Sequence, residues 1–352
     1  MGGMRVVVHA EITDALLGEW AELFARDPEA TPFSSPGWAK VWWSRRGAGA
    51  RLLVLAVRDG ETLVGLAPLV LRRTGPFRVV RPFADDLADY WEVLAAPASR
   101  AAVVEAIARE IRRRAGEWDV FLLKRLPPAS ATPAAFAAAG LRLQAQPTSP
   151  YPAIELPSSF DAYLASLPTE RRTNLRRRLR HLDEGELTLH EITDRESIPE
   201  AIDRWHQIRN DQWSSRGREL APLHRTDEFR DFLREIALEL VPRGLCLLWE
   251  FHRGVEVVGS FLNLADDRAF YAYMGGYRAD AGRLGIGKIA TAEAIRRSIS
   301  SGRRRYDFLE GAESYKYWYG AEDRRSEAHI VMSGRPRSRA AVALGTALHR
   351  LR

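Results

Sequence analysis

Tyr271-Ala-Tyr-Met-Gly-Gly-Tyr277 and Ala281-Gly-Arg-Leu-Gly-Ile-Gly-Lys288 are the two segments that decide the fold of this chain. The first has the alternating aromatic pattern of a strand, and the second is a glycine loop that runs into an Ala/Ile-rich helix. The first turn of a helix has unpaired N–H groups at the positive end of the helix dipole, and glycines allow a ligand to approach them. The pattern therefore predicts a diphosphate-binding loop at Gly285 and Gly287.

The composition sets limits on the class of protein. The chain has 352 residues, of which 46% are hydrophobic and 28% charged, so we expect two globular domains of ordinary size. It has no apolar run long enough to span a bilayer and its N-terminus lacks a signal-peptide pattern. We therefore expect a cytoplasmic protein without stable membrane insertion, either a monomer or a homodimer.

Two further features of the composition bear on ligands. The single cysteine excludes a disulfide within the chain, and the scattered histidines show no metal-ligand spacing, so we expect no metal. The net charge of +6 suits polyanionic partners such as a nucleotide diphosphate, tRNA or an acidic membrane surface.

The order of predicted elements occurs twice along the chain. Strands over 51–58 and 63–72 and a helix over 99–115 have counterparts over 245–252, 257–264 and 286–301. A glycine follows each hairpin turn at the same spacing, Gly65 in the first half and Gly259 in the second, about 190 positions apart, which indicates an internal duplication.

The two copies differ at the start of this helix. The first copy enters it through Ala95-Ala-Pro-Ala-Ser99, without a glycine loop. Only the second copy is therefore predicted to bind a diphosphate.

An arginine-rich helix is predicted over 167–182. Leucines at helical spacing form its core stripe, and a row of arginines lies beside them: Leu175, Leu179, Leu182; Arg172, Arg176, Arg180. A solvated surface explains such a row in many helices. The alternative is binding of a phosphate-bearing ligand or a tRNA backbone, since like charges at i, i+4 repel in the absence of a partner.

Several short motifs carry a resemblance to a known superfamily. They are, in chain order, Phe33-Ser-Ser-Pro-Gly-Trp38, Gly65-Leu-Ala-Pro-Leu69, Asp89-Tyr90, Arg171-Arg-Thr-Asn-Leu-Arg-Arg177, Tyr306-Asp-Phe-Leu-Glu-Gly311 and Tyr315-Lys316. Together they resemble the GNAT-superfamily acetyltransferases of the cellulose-biosynthesis type, which in turn resemble the Fem-type peptidoglycan aminoacyltransferases.

The resemblance implies an α/β (mixed α+β) chain with a tandem pair of GNAT-like domains, each a mixed, mostly antiparallel sheet flanked by helices. The predicted domains are 4–152 without a cofactor loop, 153–334 with an acyl-CoA loop, and a basic C-terminal helix over 335–352. The resemblance also implies that acyl donor and acceptor meet in the cleft between the two domains.

The implied function is N-acyl transfer, in which an acyl group, acetyl in the first instance, moves from acetyl-CoA or another acyl-CoA to an amine of a small molecule, sugar or biosynthetic intermediate. One departure keeps an alternative open. The GNAT loop usually reads Gln/Arg-x-x-Gly-x-Gly/Ala, whereas here Gly282 stands at the first position and Arg283 follows it. An aminoacyl-tRNA-dependent aminoacyltransferase of Fem type needs no such loop, and a non-catalytic scaffold is a third possibility.

The chemistry requires a base for the amine proton, donors for an oxyanion and an acid for the thiolate. Glu310 is the predicted base, since the end of a buried strand would raise its pKa. The resemblance suggests backbone N–H groups near Met274 and Gly275 for the oxyanion, Lys316 as a cation beside the carbonyl, and Tyr315 (or Tyr317) as the acid. Packing of the tyrosine under the cofactor is an equal alternative.

The remaining predicted site residues fall into two groups. Those for cofactor binding are Met274, Gly275, Arg283, Gly285, Gly287 and Lys288. Those for substrate binding are Asp89, Tyr90, Trp91, Arg172, Asn174, Arg176 and Trp213, with the acidic-aromatic segment around Asp89 suited to a cationic acceptor.

Overall fold

A computed structural model describes residues 4–215, 217 and 222–350. The α-helices, in chain order, are α1 (Asp14–Arg26), α2 (Pro36–Arg46), α3 (Arg100–Arg113), α4 (Thr132–Ala138), α5 (Phe160–Ser166), α6 (Thr169–Asp183), α7 (Ile198–Ser215), α8 (Asp227–Leu240), α9 (Ile286–Ser300), α10 (Ser314–Trp318) and α11 (Pro336–Arg350). The strands are β1 (Arg5–His9), β2 (Ala50–Asp59), β3 (Thr62–Thr74), β4 (Phe77–Pro82), β5 (Leu94–Ala95), β6 (Val120–Leu126), β7 (Arg142–Ala145), β8 (Pro150–Glu155), β9 (Thr188–Ile192), β10 (Cys246–Arg253), β11 (Glu256–Ala265), β12 (Ala269–Tyr277), β13 (Arg305–Asp307), β14 (Glu322–Arg325) and β15 (Glu327–Met332).

The chain divides into two compact units, Met1–Ser149 with Arg325–Arg352, and Pro150–Arg324. In unit 1 the strand order is β1-β2-β3-β4-β6-β15-β7, with β5 paired to β3. β4 and β6 are parallel, and the other described pairs of this sheet are antiparallel. The core of unit 1 lies between this sheet and α3, whose apolar stripe includes Val103, Ile107 and Ile111.

Unit 2 has the corresponding arrangement. Its strand order is β14-β8-β13-β12-β11-β10-β9, and β12 and β13 form the parallel pair. In both units one α-helix lies in the chain between the two parallel strands: α3 between β4 and β6, and α9 between β12 and β13. Two mixed, mostly antiparallel sheets flanked by helices confirm the predicted fold class.

The glycines that revealed the duplication have the same physical role in both units. A Cβ on Gly65 would lie 2.1 Å from Val103 of α3, and a Cβ on Gly259 would lie 2.7 Å from Ile286 of α9. Real Cβ atoms do not approach other atoms so closely. Each glycine therefore permits a helix to pack directly on its strand, α3 on β3 and α9 on β11.

The division into units differs from the predicted boundaries at one place. The boundary at 152 lies close to the observed change of unit after Ser149. Residues 325–334, assigned by sequence to the second domain, belong to unit 1 because β15 pairs antiparallel with both β6 and β7. The predicted C-terminal helix corresponds to α11, and residues 351 and 352 lie outside the described residues.

Within the described ranges, no helix is both long enough and apolar enough to span a bilayer.

Candidate active site

The parallel strands β12 and β13 separate soon after they meet. Their pairing covers Ala269–Tyr271 of β12, and it ends where Tyr271 lies opposite Asp307. β12 continues to Tyr277 beside β11, with a register shift between Leu262 and Leu264. In the described part of unit 2, the edge of β12 beyond Tyr271 that faces away from β11 has no strand partner. Backbone N–H groups on an open edge are available to a ligand.

Three predicted parts of the site lie at this opening. Met274 and Gly275 are on the open part of β12. Helix α9 follows β12 and precedes β13, so it begins at the same end of the parallel pair, and the loop after Asp307 leaves β13 there as well. In α/β sheets the carboxyl ends of parallel strands are the usual place for a ligand.

Gly275 also has a packing role. A Cβ on this residue would lie 2.2 Å from the ring of Phe261, its partner across the strands. Packing within the sheet therefore requires a glycine at position 275, independently of any ligand bound by its backbone N–H.

The glycine loop has the conformation that its sequence predicts. A 3₁₀ turn over Asp280–Leu284 leads to Gly285, which is the N-cap of α9 and adopts a left-handed conformation with φ of 76°. The carbonyl of Gly285 accepts hydrogen bonds from the N–H groups of Lys288 and Ile289 at 2.8 and 3.0 Å. No side chain caps the helix, so within the described residues the N–H groups of the first two helical residues, at positions 286 and 287, remain available.

Positive charge surrounds this helix start. Nη1 of Arg178, on α6, donates to the carbonyls of Arg283 and Leu284 at 2.8 and 2.6 Å and so fixes the turn. Nζ of Lys288 lies 4.2 Å above the ring of Trp318. Burial, and then the charges of Arg178 and Arg177, lower the pKa of Lys288. Clustered cations are unfavourable without a counter-ion, so this arrangement suits a bound anion. The side chain of Arg283 is exposed.

Helix α6 presents different arginines to the site from those predicted. Arg172 bonds to Thr169, and the exposed Arg176 lies 3.6 Å from Asp161. The row that includes these two arginines lies on the outer side of the helix, so the structure does not bring them to the glycine loop. It brings Arg178 there instead.

The inner side of α6 carries two further polar groups. Nη1 of Arg171 donates to the carbonyls of Tyr317 and Trp318 at 3.1 and 3.0 Å. Oδ1 of Asn174 is buried without a hydrogen-bond partner in the described part of the chain. A buried amide oxygen without a partner costs free energy, which a donor on a ligand would recover.

Lys316, on α10, is enclosed by the loop that joins β13 to this helix. The residue is 2% exposed, and its Nζ donates to the carbonyls of Leu309, Glu310 and Gly311 at 3.2, 2.9 and 3.1 Å. It also forms an ion pair with Glu313 at 2.9 Å. An ammonium group has three N–H donors, and all three have acceptors here. Lys316 therefore shapes the loop after β13 and does not present a free cation.

The other two predicted catalytic residues lie on the same loop and on α10. Glu310 is exposed, so the burial expected from sequence does not occur. Desolvation, followed by the charge of Glu313, raises the pKa of Tyr315 to about 12, although 55% of this residue is exposed. The hydroxyl of Tyr317 donates to Asp323 at 2.6 Å, which leaves Tyr315 as the tyrosine with an available hydroxyl.

The acidic-aromatic segment of unit 1 is mostly core. Trp91 is 5% exposed, its Nε1 donates to the carbonyl of Pro68 at 3.2 Å, and its ring packs on Phe121. Tyr90 is also 5% exposed, and Asp89 lies 3.2 Å from Arg125. Tyr90 and Trp91 thus differ from the expected acceptor-binding surface, because the aromatic side chains complete the hydrophobic core.

Arg209, on helix α7, is a candidate site residue that the sequence prediction did not include. Trp205, Arg209 and the half-buried Trp213 recur at every fourth position and share one side of the helix. The guanidinium of Arg209 lies 5.4 Å from the ring of Trp205. An arginine between two tryptophans at this spacing is the signal that the sequence offered.

No group of three or more His, Cys, Asp or Glu side chains in the described residues is arranged to hold a metal ion.

Comparison with known proteins defines the class of this site. Residues 169–317 match the family model described as "Acetyltransferase (GNAT) domain". These residues include α6, the open part of β12, the glycine loop and α10. This part of the chain is similar to a GNAT-type acetyltransferase domain, and the protein is an acyltransferase.

Solved structures share the fold of the whole chain. A structure of FemX aligns with a TM-score of 0.67 at 11% identity, covering 92% of this chain and 96% of that chain. The C-terminal domain of a putative lysylphosphatidylglycerol synthetase from Agrobacterium fabrum gives 0.55 at 9% identity, covering 94% and 96%. A conserved protein of unknown function from Bacteroides thetaiotaomicron gives 0.56 at 13%, covering 93% and 99%. No curated protein matches the sequence significantly.

Proposed function

We propose that this protein is an N-acyltransferase that moves an acyl group, acetyl in the first instance, from acyl-CoA to the amine of a small-molecule acceptor. The observation that carries the proposal is the start of α9, where free N–H groups, a left-handed glycine and several cations occur together. The finer relationship to acetyltransferases of the cellulose-biosynthesis type remains a prediction from the motifs.

The residues at the helix start fit a diphosphate. The N–H groups at positions 286 and 287 would donate to its oxygens at the positive end of the helix dipole. A Cβ on Gly285 would lie 2.9 Å from the Arg178 guanidinium, and one on Gly287 would lie 3.0 Å from Tyr277, so the two glycines let these side chains pack against the loop. Lys288 and Arg178 would balance the charge.

When bound, acyl-CoA supplies a thioester carbonyl for attack by the amine. The open edge of β12 near Met274 and Gly275 is the proposed source of N–H donors for the developing oxyanion. Tyr315 would protonate the leaving thiolate, and its raised pKa keeps the hydroxyl protonated at neutral pH. We propose that Glu310 accepts the amine proton. Lys316 contributes by holding the loop that carries Glu310.

Thermal unfolding with and without ligand tests the proposal. Acetyl-CoA at about 100 times its Kd should stabilise the protein by about 2.7 kcal/mol, or roughly 5–10 °C in Tm. S-acetylpantetheine lacks the diphosphate and should give a much smaller shift. Absence of a shift with any acyl-CoA would refute the proposal.

A matched pair of variants locates the binding site. Gly285→Asp places a carboxylate at the proposed diphosphate site and should abolish the acetyl-CoA shift. Gly302→Asp is the control, because Gly302 has nearly the same backbone conformation, with φ of 78°, and open space around it. If both variants respond to acetyl-CoA as the unchanged protein does, the diphosphate does not bind at the start of α9.

Aminoacyl-tRNA as the donor is the second candidate, favoured by the exposed arginine row of α6. In that case tRNA binding should weaken steeply with salt. Arg172→Glu with Arg176→Glu should remove the binding in a filter assay. Binding that persists with an unchanged salt slope counts against this candidate. A non-catalytic scaffold, the third possibility, would bind neither acetyl-CoA nor tRNA.

A further inference from the structure

Arg209 on α7 is a half-buried cation without a counter-ion in the described part of the chain. Its Nη1 is buried and has no hydrogen-bond partner. Its guanidinium lies over the face of Trp205, 5.4 Å from the ring centroid. Burial lowers the pKa of Arg209 to about 10, and Tyr273 of β12 opposes this shift. Burying a charge without a partner is costly, so an unpaired buried guanidinium is expected where a ligand supplies the anion.

The position of Arg209 connects it to the open edge of β12. The Cα of Arg209 lies 3.0 Å from where a Cβ of Gly276 would be, so α7 packs directly on this strand, one residue after Gly275. Ser260 lies opposite Gly276 and therefore projects to the same face of the sheet. The hydroxyl oxygen of Ser260 is fully buried and has no partner within the described residues. Two polar groups without partners thus occur beside the proposed oxyanion donors.

The charge around Arg209 suits a single negative charge. Burial, and then the charge of Arg209, lower the pKa of His224 to about 4. Burial, followed by Arg230, lowers the pKa of His206. Both histidines are therefore neutral at pH 7, and Asp203 and Asp227 lie near His206 with Arg230 between them. Among the described residues around α7, Arg209 is thus a single cation without a carboxylate partner, whereas several cations lie together at the start of α9.

We propose that Arg209 binds a carboxylate of the acceptor, which makes the acceptor an amino acid or another amine that carries a carboxylate close to its amine. The inference rests on the proposed acyltransferase function and names its substrate class. The N–H groups of a guanidinium match the two oxygens of a carboxylate, and stacking on Trp205 fixes the plane of the guanidinium. Helix α7 packs on β12 at Arg209 and Gly276, one residue from the proposed oxyanion donor Gly275, so a carboxylate on this arginine would belong to the same site.

Ligand pairs that differ only in the carboxylate provide the test. Thermal shifts are measured with CoA present, using L-phenylalanine against phenethylamine, L-leucine against 3-methylbutylamine, and L-lysine against cadaverine. Glucosamine 6-phosphate against glucosamine tests a phosphate in place of the carboxylate. We expect at least one carboxylated member to bind at least about 30-fold more tightly than its partner. Thiol release from acetyl-CoA should show the same preference in kcat/KM.

Arg209→Met should remove that preference and leave the weak binding of the plain amine unchanged, with a larger effect on KM than on kcat. It should not lower Tm, because it removes an unpaired buried charge. Arg204→Met is the matched control on the same helix, since Arg204 bonds to the buried Glu250 at 2.8 Å. The control should lower Tm and keep the carboxylate preference.

Three results would overturn the inference: no stabilisation by any carboxylated probe at 10 mM (about 100 times a typical KM), a preference for the phosphorylated sugar, or an unchanged preference in Arg209→Met. Failure of acetyl-CoA itself to bind is a separate result, which refutes the proposed function. If acetyl-CoA binds but the carboxylated and plain amines of every pair are used equally, only the proposed role of Arg209 is refuted and the acyltransferase function is not.

Discussion

Replacement of Lys316 by methionine should destabilise the protein strongly. Methionine keeps the length of the apolar stem but leaves the carbonyls of Leu309, Glu310 and Gly311 without their donor. The bond to Leu309 is buried, and an unpaired buried carbonyl costs about 1–3 kcal/mol. The other two carbonyls are partly buried and can rehydrate, so each costs about 0.5–1 kcal/mol. The ion pair with Glu313, which is 57% exposed, adds at most about 1 kcal/mol.

The expected loss is therefore about 4 kcal/mol in the free energy of unfolding. With an m-value of about 3 kcal/mol/M, the urea midpoint should fall by roughly 1.3 M. Lys288→Met is the matched control, because Lys288 lies over Trp318 near other cations and makes no comparable set of bonds. The control should change the unfolding free energy by less than about 1 kcal/mol and weaken acetyl-CoA binding.

The two variants separate a structural lysine from a catalytic one. If Lys316→Met unfolds at the same urea concentration as the unchanged protein and loses only kcat, then Lys316 is a catalytic cation. Its bonds to the three carbonyls would then not stabilise the fold.

Three further outcomes follow from the geometry. Tyr315→Phe should lower kcat at least about 100-fold if this hydroxyl protonates the thiolate, whereas Tyr317→Phe, which loses a bond to Asp323, should lower it less than about 3-fold; equal effects in a thiol-release assay would contradict the assignment. Gly259→Ala forces a Cβ to 2.7 Å from α9 and should cost about 1–3 kcal/mol in urea unfolding, and no loss would show that α9 moves freely. His224, whose pKa falls from 6.5 to about 4 on folding through burial, binds fewer protons folded than unfolded, so its contribution to stability is complete above pH 6.5 and is lost as pH falls toward 4. His224→Phe should flatten this dependence in unfolding titrations between pH 7 and 4, and an unchanged slope would contradict it.

The predictable parts of the fold were those set by local sequence. Helix α1 over Asp14–Arg26 is an example, since its buried stripe of Leu16, Trp20 and Leu23 and its N-cap Thr13 lie within one short segment. Strands β9, β14 and β15 were not predicted. β9 and β14 are polar and mostly exposed, so they lack the apolar alternation that marks a strand. β15 joins a sheet whose other strands lie far away in the chain, and no local pattern specifies that pairing.

The candidate site divides in the same way. The conformation of Gly285 depends on its own backbone and the helix that follows, so sequence predicted it. Lys316 was predicted as a free cation because its three carbonyl partners meet it only in the folded loop. Trp91 was predicted at a surface because an aromatic residue beside acids is typical of binding sites, but tertiary packing places it in the core. That Arg209 has no anionic partner among the described residues is likewise a property of the folded chain.

The pairing of β15 with β7 means that residues Pro150–Arg324 are a contiguous insertion within unit 1. On the unit 1 side the chain leaves and returns on neighbouring antiparallel strands, where the N–H of Gln146 bonds to the carbonyl of Ala328 and the hydroxyl of Thr148 to that of Ser326. A tight two-residue turn such as Asn-Gly could therefore close the gap if the insertion were excised. Unit 2 is thus separable by two cuts in the gene, and unit 1 by one deletion.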